Sequence, residues 1–319
     1  MSKTIRSPYA ILRYELIRTL LERGQELPLH ELIENEPDIK DSKGIYEVDE
    51  LLNIPYMNRT EVPLAMDIFK PVVPEIQEVP VIVNIHGGGL VVGDRKVSRR
   101  ISRILARRGY LVFSIEYRLA PRANLAEQLD DTCAGMDQVG KRLIGFNVDF
   151  TRVFLMAESS GAILAIYVAA MKKSKALQEA IGYAPTHMTF RALGLTSGLV
   201  YTNRPDPIGR LLSEQYYGDK ANDPEFVRYM DPENPEILYN LPPTFFVTSR
   251  GDFLNQYSLT YHKALKRAGR QTHLVYYGEK ELSHSFVWLH PEFPQSLDAI
   301  DRMTAWFEEQ AAKARDMKE

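Results

Sequence analysis

From Val79 onward, short runs of β-branched and aromatic residues alternate with longer segments of helical periodicity, and this alternation leaves few folds open to the chain. Strands that alternate with helices build βαβ units, whose crossovers lay successive strands parallel in one sheet with helices on its faces. The runs are VPVIVNI ending before His86, YLVFSIEY from Tyr110, RVFLMA from Arg152, RALGLTS from Arg191, TFFVTS from Thr244 and THLVYY from Thr272. Helical patterns fall between them at about Lys96 to Arg108, Ala126 to Leu143, Ser160 to Lys173 and Tyr257 to Ala268, with a last one from Leu297 to Ala312. The pattern predicts an α/β fold with a mostly parallel, doubly wound sheet. Two weaker strands, Ile45 to Glu50 and Ala65 to Phe69, come first and would form an antiparallel edge.

Two segments break the alternation. Residues 1–41 open on an amphipathic helix pattern, and residues 201–239 are dense in Pro, Asp, Asn and Tyr, with short helical patterns at Ile208 to Tyr217 and Pro224 to Met230. The expectation is a catalytic domain over 42–200 and 240–319, an N-terminal cap over 1–41 and a cap insertion over 201–239. A chain of 319 residues with 45% apolar side chains can bury one large core without covalent staples. It has one cysteine, Cys133, so an intramolecular disulfide is excluded.

The N-terminus interleaves charges with apolar residues and lacks the apolar core of a signal peptide, so the expected location is cytoplasmic. The longest apolar run, Ile163 to Met171, is about half of the roughly 20 residues that cross a bilayer. Formal net charge is −3. The densest basic cluster, Arg95 to Arg108, has Ile101, Ile104 and Leu105 at helical spacing, which reads as a solvated helix face and not as a nucleic-acid surface.

The strand ending at Ala157 runs into Glu158-Ser159-Ser160-Gly161 and then an apolar helix, which puts a serine on a sharp strand-to-helix turn. Such a nucleophile elbow crowds its neighbours, so small residues are needed two before and two after the serine; Ala157 and Gly161 supply them. Taken alone, Ser159 could equally cap a helix. The second motif tips the balance. His86-Gly87-Gly88-Gly89 follows the strand ending at Ile85, and glycines there let backbone amides turn toward an oxyanion, together with the N–H of Ser160. His86 would brace this loop, and Glu158 would anchor a neighbouring one. The glycines at 87, 89 and 93 are spaced one residue too widely for a dinucleotide fingerprint.

The other two members of a catalytic triad should follow in the order acid, then histidine, each beyond a strand. Asp252 comes after TFFVTS and 93 residues after Ser159; His284 comes after THLVYY and 32 residues after Asp252. Glu281 and Asp298 are the competing acids and His290 the competing histidine. The tyrosines of the cap and Trp288 would either line an apolar pocket or fasten the cap to the core.

H-G-G-G at 86–89, Tyr117-Arg118-Leu119-Ala120-Pro121 and the Ser159 elbow together resemble the hormone-sensitive-lipase-like esterases of the α/β-hydrolase fold, over about residues 79–310. The resemblance implies carboxylesterase activity on short acyl chains, no cofactor or metal, and a cap made of the N-terminus and an insertion before the acid. The partner would be a small ester, with room for a homodimer. The family pattern G-D-S-A-G-G is A-E-S-S-G-A here, D-P-L-x-D is Asp252-Phe253-Leu254-Asn255, and H-G-F is His284-Ser285-Phe286. An amidase on the same fold, or a receptor that binds without catalysis, remains open at this point.

Overall fold

The computed structural model describes residues 41–59, 63–206 and 221–316. Eight strands form one sheet: β1 (Val48–Met57), β2 (Leu64–Pro71), β3 (Val79–Ile85), β4 (Leu111–Ile115), β5 (Val148–Glu158), β6 (Ala192–Thr196), β7 (Thr244–Ser249) and β8 (Thr272–Tyr277), in the order β1-β2-β4-β3-β5-β6-β7-β8. β1 pairs antiparallel with β2 and β2 with β4, and every other pairing is parallel. This is the α/β-hydrolase arrangement, with the predicted antiparallel edge. Strands β3, β4 and β6 are buried throughout, as expected where helices cover both faces.

Alternation along each strand splits the core in two. Val81, Val83, Ile85, Leu155 and Ala157 face a cluster with the helices α2 (Leu125–Leu143), α3 (Gly161–Met171) and α4 (Asn255–Arg267). Ile82, Phe154 and Met156 face the other cluster, with α1 (Arg99–Arg107) and α5 (Pro294–Asp316). Helix α3 is apolar all round and wholly buried, so packing holds it and not a polar face. α2 starts on a capping box, with the Asn124 side chain accepting from the Glu127 N–H and Glu127 reaching back to the Asn124 N–H.

The chain order places the site. After β3 it turns outward to β4, then returns to lay β5 on the other side of β3, so the crossovers diverge between β3 and β5. A crevice opens beyond the carboxyl ends of strands at such a switch point. His86 follows β3 and Ser159 follows β5.

Several boundaries differ from the prediction. β5 begins at Val148, before Arg152, because its first residues pair with β3 through Val79 and Val148 while carrying polar Asp149 and Thr151. A 3-10 turn, Arg95–Ser98, capped by the Asp94 side chain, replaces the first part of the helix expected from Lys96. The helix Lys175–Ile181, begun by Ser174 and ended by Gly182 at φ +82°, was not predicted. Pro224 to Met230 shortens to Pro224–Val227. The expected N-terminal cap, apart from Asp41, and the Ile208 to Tyr217 pattern lie outside the described residues.

The basic cluster is not a solvated face. Arg95 bonds Asp67 and Glu116, Arg99 bonds Asp67, Arg100 bonds Glu292 and the Leu289 carbonyl, Arg103 bonds Glu50, and Arg108 bonds Asp41 and Asp301. These partners come from distant segments, so helical periodicity alone could not reveal them. No helix among the described residues is long and apolar enough to cross a membrane.

Candidate active site

Ser159 has φ +48°, a left-handed conformation that a serine adopts only where its surroundings impose it. The turn is pinned on both sides: the Ser159 N–H donates to the Thr196 carbonyl at 3.0 Å, and the Leu199 N–H donates to the Ser159 carbonyl at 2.8 Å. A methyl at Gly161 would lie 2.6 Å from the carbonyl oxygens of Ile85 and His86, so the first residue of α3 must be glycine for the helix to pack on the end of β3. Ala157 is fully buried in the sheet, paired with Ile85 and Leu195, and its methyl joins the core.

His284 and Asp252 meet Ser159 from the loops after β8 and β7. The His284 Nε2 is 2.9 Å from the Ser159 Oγ, and its Nδ1 is 2.7 Å from Asp252 Oδ1. With the Nδ1–H donated to the carboxylate, the Nε2 lone pair faces the serine hydroxyl and can take its proton. Asp252 is 1% exposed and also accepts from the Leu254 N–H at 2.9 Å and the Thr248 hydroxyl at 2.7 Å. Burial by itself would raise this carboxyl; the bonds and charge of His284, with those two donors, hold it below its ordinary value. His290 lies elsewhere, stacked on Phe293, and Asp298 bonds Tyr277.

The glycine loop lies against the serine. A side chain at Gly87 would come within 2.7 Å of Ser159 Cβ and 2.2 Å of Glu158 Oε2, and Gly88 and Gly89 take φ +102° and +63°. One expectation is corrected here. The Gly87 N–H donates to Glu158 Oε2 at 2.9 Å, so Gly87 serves the loop by its lack of a side chain, and its amide is engaged away from an oxyanion. Gly88, Gly89 and the Ser160 amide keep the candidacy. The Ser160 hydroxyl accepts from the Leu90 N–H at 3.0 Å and so fastens the end of the glycine loop to the elbow.

His86 braces the loop from below. It is fully buried, stacked on Tyr117 at 4.4 Å between centroids, with Nε2 3.0 Å from Glu116 Oε1 and Nδ1 2.8 Å from the Gly87 carbonyl. Burial pushes the imidazole down, but Glu116 and the Gly87 carbonyl outweigh it and raise it above its ordinary value. The Tyr117 hydroxyl donates to the His86 carbonyl, Arg118 bonds Asp131, and the Ala120 N–H donates to the Leu90 carbonyl. The Y-R-L-A-P motif is therefore the scaffold under the glycine loop.

Two neighbours, Glu116 and Thr248, had no sequence signal, and two that stood out only as departures from the family pattern gain contacts here: Ser285 bonds Glu158, and the Phe253 ring lies 4.3 Å from that of His284. Trp288, expected either to line a pocket or to fasten the cap, is buried in the core cluster with α1 and α5. Of the described tyrosines in 201–239, Tyr201 and Tyr229 are buried and Tyr239 is exposed. Tyr201 is buried against Tyr257 and Tyr261 and bonds Glu233, and the Tyr261 hydroxyl donates to the Pro232 carbonyl.

A model of the alpha/beta hydrolase fold matches residues 82–287, which hold the glycine loop, the elbow and both partners of Ser159. The chain belongs to the α/β-hydrolase family. Within it, the chain falls among the hormone-sensitive-lipase-like members. It is 25% identical over 236 residues to a probable isoprenylcysteine alpha-carbonyl methylesterase of Oryza sativa, covering 70% of this chain and 56% of that one. It is 24% identical over 247 residues to a versiconal hemiacetal acetate esterase of Dothistroma septosporum, covering 70% and 71%. The chain spans about half the length of the first curated relatives it matches. Esterase B of Lactobacillus rhamnosis superposes with a TM-score of 0.84 at 20% identity, covering 98% of this chain and 99% of that one, which shows a shared fold.

Proposed function

We propose that the protein is a serine carboxylesterase for short- to medium-chain acyl esters. The observation that carries this is His284 bridging Ser159 and Asp252 at 2.9 and 2.7 Å on a strained elbow. In this reading His284 takes the Ser159 proton as the Oγ attacks the ester carbonyl, and the amides of Gly88, Gly89 and Ser160 receive the oxyanion. The imidazolium returns the proton to the departing alkoxide, leaving an acyl-serine and an alcohol. Water, deprotonated by the same imidazole, then releases the carboxylate and restores the serine. Asp252 stays ionised throughout and stabilises the imidazolium.

The methyl and acetyl esters in the names of the two plant and fungal relatives support small groups on at least one side of the ester. The segment 201–239, with whatever the N-terminal residues add, would form the cap that sets the limit on chain length. Two measurements test this. A fluorophosphonate probe should label the native protein and fail to label S159A, and S159A should retain no more than a trace of turnover on p-nitrophenyl acetate. Activity over an acetyl to decanoyl series should peak at the short end; unlabelled native protein, or a peak at decanoyl, would overturn the reading.

A further inference from the structure

Glu158, beside the nucleophile, has a side chain that touches both loops that must converge on Ser159. Its Oε2 accepts the Gly87 N–H at 2.9 Å, at the start of the glycine loop, and its Oε1 accepts the hydroxyl of Ser285, the residue after His284. Both ends are sealed: Glu158 is 6% exposed and Ser285 2%. We infer that Glu158 and Ser285 act as a paired positioning strap, tying the histidine loop to the glycine loop so that the general base and the oxyanion donors keep one spacing about Ser159.

Three observations support the pair as a unit. Ser285 sits at φ +62°, a conformation that suits glycine better than serine, so the Cβ and hydroxyl are held there against the backbone's preference. Its N–H donates to the Ser197 hydroxyl at 3.0 Å, which fixes the loop in the orientation that turns the Ser285 hydroxyl toward Glu158. Finally, both residues depart from the family pattern together. Glutamate stands where aspartate is usual before the nucleophile, and serine stands where glycine is usual after the histidine. The extra methylene lengthens the carboxylate's reach, and the added hydroxyl gives it a donor.

The inference rests on the proposed esterase reading, because the strap is a positioning device for that triad. The decisive experiment is a double-mutant cycle with E158Q, S285A and E158Q/S285A, read as kcat and KM on p-nitrophenyl acetate and as the rate of labelling by the fluorophosphonate probe. Misplacing reacting groups by about 1 Å costs on the order of a hundredfold, so each single variant is expected to lose about ten- to a hundredfold in kcat with KM within about threefold. The double variant should be no slower than the slower single, since contacting residues couple and their effects do not add.

Labelling should slow in step with kcat. Because E158Q or S285A could disturb folding, S285G serves as the second variant: it removes the hydroxymethyl group and with it both the donor and the backbone strain, so it should lose activity while keeping or raising the unfolding midpoint. Additive losses in the cycle, or S285G as active as the native chain, would overturn the strap. Failure of the native protein to label would instead overturn the esterase reading, so the two failures are distinguishable.

Discussion

A methyl group is enough to test whether the glycine loop is placed for chemistry or is only a tight turn. At Gly87 it would meet Glu158 Oε2 at 2.2 Å and Ser159 Cβ at 2.7 Å, and these neighbours are held by hydrogen bonds and backbone strain. G87A should therefore push the loop off the nucleophile and lower kcat by about a hundred- to a thousandfold, the loss typical of one oxyanion donor. Steady-state kinetics on p-nitrophenyl acetate checks this, and an unchanged kcat would mean the loop stands off from the reaction. Asp252 tests the other side of the serine. D252N keeps the shape, but the amide can no longer stabilise an imidazolium or select the tautomer with its lone pair toward Ser159. In the serine-protease triad the equivalent change costs about 10⁴ in kcat, and a loss of that order is expected here in single-turnover assays.

Between β1 and the glycine loop runs a chain of charges that ties elements together: Asn53 and Arg99 to Asp67, Asp67 to Arg95, Arg95 to Glu116, and Glu116 to His86. Asp67 is fully buried, so removing Arg95 leaves its carboxylate with Arg99 as its remaining guanidinium partner and takes a charged donor from Glu116 as well. R95A is expected to destabilise the fold by about 1.5–3 kcal/mol, seen as a lower denaturant midpoint, because the fully buried Asp67 and the partly buried Glu116 each lose a charged hydrogen-bond donor while keeping another partner. A change under about 1 kcal/mol would show that water or other donors replace the guanidinium. This network also marks where the sequence stops being readable. The parallel sheet, its edge, the elbow and the positions of Asp252 and His284 were legible, because strand periodicity, small-residue spacing and chain order are local signals. Glu116, the contact of Ser285 and the buried partners of the arginines were not, since each acts through a residue distant in the chain: 30 positions for Glu116 to His86, 127 for Ser285 to Glu158 and 189 for Arg100 to Leu289. The short helix Lys175–Ile181 was missed for a different reason, as seven residues offer too few turns to establish a period.

Summed over the molecule, these buried groups set how stability responds to pH. Asp41, Asp67, Glu116 and Asp252 all sit below their ordinary values of 3.8 or 4.5: burial opposes the shift, and bonds and charges from Arg108, Arg99, His86 and His284 outweigh it. Each contributes stability that is complete above its ordinary value and is lost as pH falls through its lower folded value. Two groups act in the opposite direction. Burial raises Glu158 above 4.5, so its contribution is lost as pH climbs from 4.5 through the folded value. His86 is raised above 6.5 by Glu116 and the Gly87 carbonyl in spite of its burial, so its contribution is full below 6.5 and is lost as pH rises through the folded value. The thermal midpoint should therefore fall steeply below about pH 4, peak near 4.5, and decline above that, first through Glu158 and from about 6.5 through His86 as well. Circular dichroism melts at fixed ionic strength from pH 3 to 9 would trace the curve. E158Q should flatten the decline that begins near 4.5, and H86N the part that begins near 6.5; a midpoint that keeps climbing to pH 8 in the native chain would mean that Glu116 and the Gly87 carbonyl do not outweigh the burial of His86.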